Sequence, residues 1–179
     1  MFTIKRSHIW RSLIFAAFFA ATAASAQNVQ CYDLSSLQGS YAVIGTYGAN
    51  AAMALAVQYL DGNGNLTRSA TVNQPMAGST TGARTLTTTT NTGTYVVNCD
   101  GTGTLTRVVI QANGASSTVV DDFVITGAIL KGRHLIATTI VSAQQTPSVV
   151  VPGGIFVTFV HTRLPDRVGP PQLQILSSP

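Results

Sequence analysis

Glutamate is absent from this chain, tryptophan occurs once, cysteine twice, and charged residues make up only 9% of it. With so few charges, long runs of helix-favouring Glu, Lys and Arg do not arise, which removes a fold built on solvated amphipathic helices. The missing glutamate also disposes of the one calcium-like stretch, Asp61-Gly62-Asn63-Gly64-Asn65. An EF-hand needs Gly at its sixth position and Glu at its twelfth, where Leu66 and Val72 stand here. No G-x-S-x-G, H-E-x-x-H or phosphate-binding loop is present. No acid/base pair can be assigned, so no catalytic residue is named and no cofactor is expected. Asp121 and Asp122 are adjacent, but neighbours on a strand point to opposite faces and cannot form a carboxylate dyad. Cys31 and Cys99 lack the further thiol or nearby His that a metal site requires.

What is present begins with a leader. Lys5, Arg6 and Arg11 precede an apolar stretch from about Leu13 to Ala23, and Ala24-Ser25-Ala26 supplies an A-x-A cleavage site. This pattern predicts a signal peptide over residues 1–26 and a mature start at Gln27. Its apolar part is shorter than the ~20 residues that span a bilayer, so no stable membrane anchor is expected after cleavage. Cys31 follows Val29-Gln30, where a lipobox wants a small residue. The short Ala-rich leader reads as bacterial, and the expected location is secreted or periplasmic. Three of the ten basic residues belong to the leader, leaving seven against six aspartates, a net of +1. These seven are spread singly, which disfavours a nucleic-acid partner. In an oxidising compartment Cys31 and Cys99 are expected to form one structural disulfide.

The remaining 153 residues (179 − 26) suit one domain. They are dominated by Thr, Val, Ala and Gly, a composition suited to pleated, half-buried surfaces. Strands are predicted at Ser40–Tyr47, Ala54–Leu60, Asn65–Asn73, Thr94–Cys99, Thr104–Gln111, Thr118–Thr126, His134–Val141 and Ile155–Arg163. Residues 49–60 also fit a helix, but they run into a hairpin signal, which favours strand. Asp61-Gly62-Asn63-Gly64 and Asp100-Gly101-Thr102-Gly103 are tight-turn signals. Residues 74–92 read as a long loop or an extra edge strand. The expected architecture is a single antiparallel, roughly eight-stranded up-and-down barrel over residues 27–164, with a β-sandwich as its rival. Proline-rich residues 165–179 read as an irregular tail.

Gly39-Ser40-Tyr41-Ala42-Val43 matches Gly93-Thr94-Tyr95-Val96-Val97, and Asp61-Gly62-Asn63-Gly64-Asn65-Leu66-Thr67-Arg68 matches Asp100-Gly101-Thr102-Gly103-Thr104-Leu105-Thr106-Arg107. This G-x-Y … D-G-x-G-x-L-T pattern, over about half of the mature chain, resembles calycin-like barrel domains of unassigned function in exported bacterial proteins. More loosely, the layout resembles the barrels of lipocalins and allene oxide cyclases. The resemblance implies a fold and a cavity, and no reaction.

Leu66, Arg68, Ala70 and Val72 share one strand face, and Leu105, Arg107 and Val109 repeat the phase. Arg68 and Arg107 are therefore expected on the inner face. Three arrangements remain open: heads wet at a barrel rim, a grip on an anionic group in the mouth, or an internal pair with Asp121 or Asp122. His134 is expected at a solvated turn, and His161 shares a face with Val157 and Phe159. Tyr41, Tyr47, Tyr59, Tyr95, Phe123, Phe156 and Phe159 are expected to form core or cavity wall. The candidate ligand-binding set is Arg68, Arg107, Tyr41, Tyr59, Tyr95, Phe123, Phe159 and His161. The expected function is a non-enzymatic exported barrel binding a small apolar or amphipathic ligand. A filled barrel acting as a cell-envelope interaction module is the alternative, with an isomerase or cyclase behind it.

Overall fold

The computed structural model describes residues 30–48, 52–151 and 153–166. The expected leader and nearly all of the expected tail lie outside the described residues. A short 3₁₀ helix, Leu34–Leu37, precedes eight strands: β1 (Gly39–Thr46), β2 (Met53–Leu60), β3 (Asn65–Pro75), β4 (Arg84–Val97), β5 (Thr102–Gln111), β6 (Ser116–Lys131), β7 (His134–Gln144) and β8 (Thr158–Arg163). Each strand pairs antiparallel with the next, and β8 pairs with β1 to close the barrel. The sandwich is thereby set aside.

Period-two patterning drives this fold. In β3 the side chains of Leu66, Arg68, Ala70 and Val72 are buried, while Asn65, Thr67, Thr71 and Asn73 are exposed. In β5 Gly103, Leu105, Arg107 and Val109 are buried in the same phase. The expectation of a long loop or an extra edge strand over residues 74–92 needs correction, because residues 84–92 are the first part of β4 inside the closed barrel. β4 starts at Arg84, and its threonines pair with β3 through Thr87↔Val72 and Thr90↔Ser69. Polarity makes a threonine run look like loop, but its β-branched side chains fit a pleated sheet, with Thr88 and Thr90 on the outer wall and Thr89 buried inside. β6 also continues past Thr126 through an irregularity at Gly127 to Lys131, and β8 begins at Thr158 rather than Ile155.

The two Asp-Gly turns lie at one end, where Gly62 (φ 80°) and Gly101 (φ 86°) take the left-handed backbone such turns need. The 3₁₀ helix plugs this end. Leu37 is fully buried, and the Tyr95 hydroxyl donates to the Leu34 carbonyl while accepting from the Gly62 amide. A Cys31–Cys99 disulfide ties the helix's leading segment to the β4–β5 turn, and the Tyr32 amide donates to the Cys99 carbonyl at 3.1 Å. Such a bond is compatible with an oxidising compartment. Tyr41, Leu60, Leu66, Leu105 and Phe123 fill the barrel's closed half.

Candidate functional site

Above that apolar floor the cross-strand register assembles a belt of polar side chains inside the barrel. Gln58 lies opposite Arg68, Arg68 opposite Asn91, and Asp121 opposite Gln144. Ser142 and His161 continue the belt on β7 and β8. All of these side chains are buried.

Arg107 is held on three sides. Its Nε donates to Asp121 Oδ2 at 2.7 Å, its Nη2 to Asp121 Oδ1 at 2.9 Å and its Nη1 to Asn91 Oδ1 at 2.7 Å. The pair is sealed from water, with 4% of Arg107 and none of Asp121 exposed. Of the three arrangements open from sequence, the internal pair is the one found for Arg107. A wet head at the rim is ruled out for both arginines, because Arg68 is only 5% exposed. Asp122, one residue on, faces outward and accepts from Gln145.

Arg68 differs. Its guanidinium stacks on the Phe159 ring, 4.2 Å from the centroid, with Arg107 5.5 Å from the same ring. Its Nε and Nη1 are buried and find no acceptor among the described residues. Desolvation first, and the neighbouring charge of Arg107 second, pull its pKa down to about 9, which leaves it cationic at neutral pH. Phe159 can lie across the barrel because its cross-strand partner is Gly45. A Cβ added there would come within 2.6 Å of the ring.

His161 Nε2 sits 2.9 Å from Ser142 Oγ, while Nδ1 has no partner among the described residues. Burial, then the charges of Arg68 and Arg107, hold the imidazole well below its ordinary pKa, so it is neutral. The Ser–His contact has the elements of a nucleophile and base, but both side chains are almost wholly enclosed and, among the described residues, no carboxylate orients the ring. Ser142, Asn91 and Gln58 were not singled out from sequence, because only the register between distant strands brings them into the belt.

A cavity of about 30 Å³ adjoins Arg68, lined also by Tyr47, Asn91, Arg107, Gln144 and Phe159. Ser148–Val150 cover it from the open end of the barrel. That segment is braced by Gln111 Nε2 donating to the Val149 carbonyl and by the Ser148 hydroxyl accepting from the Val150 and Val151 amides. Of the sequence-predicted residues, Arg68, Arg107 and Phe159 meet at this cavity, and His161 packs edge-on against Phe159 at 6.1 Å. Tyr41, Tyr95 and Phe123 do not line it. They belong to the closed half, where the Tyr41 hydroxyl donates to the Ala137 carbonyl. Two expectations are overturned. Tyr59 lies on the outer side of β2, between inward-facing Gln58 and Leu60, and Phe156 is 54% exposed, one position before β8's inward phase.

A second hollow, about 310 Å³, lies at the closed end among Ser35, Gln38, Lys131, His134 and Arg163. Its cations are already engaged: Arg163 donates to the Gln38 carbonyl, and both Arg163 and Lys131 pair with Asp166. Among the described residues no three His, Cys, Asp or Glu side chains converge as a metal site would need. The chain matches no protein-family model, no curated protein and no solved structure. The eight-stranded antiparallel barrel is consistent with a calycin-like fold.

Proposed function

We propose that the protein is a non-enzymatic, extracytoplasmic barrel that holds one small amphipathic ligand, with the ligand's polar end in the belt. One observation carries this reading. Gln58, Arg68, Gln144 and His161 keep buried polar atoms without a partner among the described residues, and all four face the same interior. Buried polar groups are almost always satisfied, so a cluster of exceptions calls for an occupant. A purely apolar ligand would leave them unmatched. Drug-sized ligands need about 300–1,000 Å³. The cavity's 30 Å³ therefore suits either a very small molecule or a head group that enters as Ser148–Val150 give way. The leader-like first 26 residues and the disulfide support an extracytoplasmic location.

Native mass spectrometry of the mature protein, purified gently from its own compartment, tests the reading. A stoichiometric small molecule released on unfolding is the expected result. A clean apo mass would favour the interaction module instead. That second reading draws on the outer wall, where Leu55, Ile44, Val160, Val141 and Val124 lie in cross-strand register as one exposed aliphatic row.

A further inference from the structure

Resting on the binding-barrel reading, we propose that the ligand's anchoring group is a monoanion, a carboxylate or small oxyanion, received by Arg68. The charges in the belt point this way. Two guanidinium groups and one carboxylate are buried together, leaving one positive charge in excess. Asp121 does not serve both arginines: each of its oxygens accepts from Arg107, and neither accepts from Arg68 Nε or Nη1. The Asn91 carbonyl oxygen is taken by Arg107 as well.

The Arg68 guanidinium carbon sits over the face of the Phe159 ring, a contact that leaves Nε and Nη1 without an acceptor among the described residues. Nε and Nη1, the two nitrogens without acceptors, each form with Nη2 one of the forked edges that match a carboxylate. Among the described residues Asp121 is the one buried carboxylate of the belt. Gln144 lines the cavity with Arg68 and adds a neutral amide able to orient a bound oxyanion. Arg107 is therefore a fixed wall of the site and Arg68 its free hand. The cavity beside Arg68 has room for roughly two or three heavy atoms, judged against the volume one water needs. That is the size of formate or the carboxylate end of a longer molecule, and nitrate, with four heavy atoms, tests the upper limit.

The test uses the mature protein and its Arg68→Met variant, with Arg68→Gln as a second variant should the first fold poorly. Thermal midpoints and binding heats are measured with sodium formate, nitrate, acetate and octanoate at constant ionic strength. The expected result is a saturable rise in midpoint with at least one of these anions, lost at least tenfold in affinity in the variants. If formate or nitrate suffices, the free ion is the ligand class. If only octanoate acts, the carboxylate is the head of an amphipathic molecule, and the proposal stands in that form. No saturable effect from any anion, or an effect equal in the variants, overturns it. The wider reading fails separately: a neutral ligand released in native mass spectra would keep the binding barrel and discard the anion.

Discussion

At the scale of single residues, the two arginines share a sequence context and have opposite energetics. Arg107 sits in a bidentate buried pair, and removing either partner of such a pair typically costs about 3–5 kcal/mol because the survivor is left charged and dry. Arg107→Met or Asp121→Asn should therefore lower the urea midpoint strongly. Arg68 has no such partner among the described residues, so Arg68→Met in the ligand-free protein should leave the midpoint unchanged or raise it. Equal losses at both arginines would contradict this assignment. His161 makes a further prediction. Its folded pKa lies well below the unfolded value of 6.5, so between those two values only the unfolded chain binds the proton. Stability is then complete above about pH 6.5 and falls on acidification by about 1.4 kcal/mol per pH unit for this one group. Denaturant midpoints at pH 7.5, 6.0 and 5.0 should show that slope in the native protein and a shallower one in His161→Gln. Parallel slopes would mean that His161 is not the group responsible.

At the scale of elements, the 3₁₀ helix closes one end of the barrel and depends on covalent help. Four residues cannot hold a helix on their own. Asp33 caps it by accepting from the Ser36 amide, Leu37 anchors it in the core, and the disulfide joins it to the β4–β5 turn across 68 residues. For a loop of that length the chain-entropy model gives about 4 kcal/mol. Reduction, or Cys31→Ser with Cys99→Ser, should lower the urea midpoint by a corresponding amount while the barrel's far-ultraviolet strand signal persists under native conditions. An unchanged midpoint would show that the closed end is held by Leu37 and Tyr95 alone. The other end is closed differently, by Ser148–Val151 held through side-chain hydrogen bonds, and this is the end next to Arg68.

At the scale of the whole molecule, closure turns a sheet into a container with two chemistries. One half is filled by Leu37, Tyr41, Leu60, Leu66, Leu105 and Phe123 and supplies the apolar burial that holds the fold. The other half carries the belt, whose unmatched donors and acceptors weaken the fold unless something satisfies them. Proteins keep such local conflicts at functional sites. The outer wall has few charges, most of them at the strand ends and turns, Asp122 being a mid-strand exception. Closure pairs every strand on both sides around the barrel, so free edges remain at the protruding ends of β4 and of the β6–β7 hairpin, and an uncharged wall need not lead to edge-to-edge pairing.

The number of strands, the two Asp-Gly hairpins, the cysteine pairing and the inward phase of Arg68 and Arg107 were legible in the sequence. Each of these is local: alternation at period two, a turn that needs glycine, or a choice among two thiols. The extent of β4 escaped, because threonine is polar enough for a loop and branched enough for a strand. Only pairing with β3 decides between them. Tyr59 and Phe156 escaped because a one-residue difference in phase exchanges inside for outside. What the tertiary structure alone decided is the partner of each buried charge. Arg107 and Asp121 lie on neighbouring strands at diagonal positions, and Asn91 arrives from a third. Arg68 is left over, facing Phe159 across the closed barrel, since closure brings β8 back beside β1. Hydrogen-bond satisfaction is a property of three-dimensional neighbours, and that is where the case for a ligand begins.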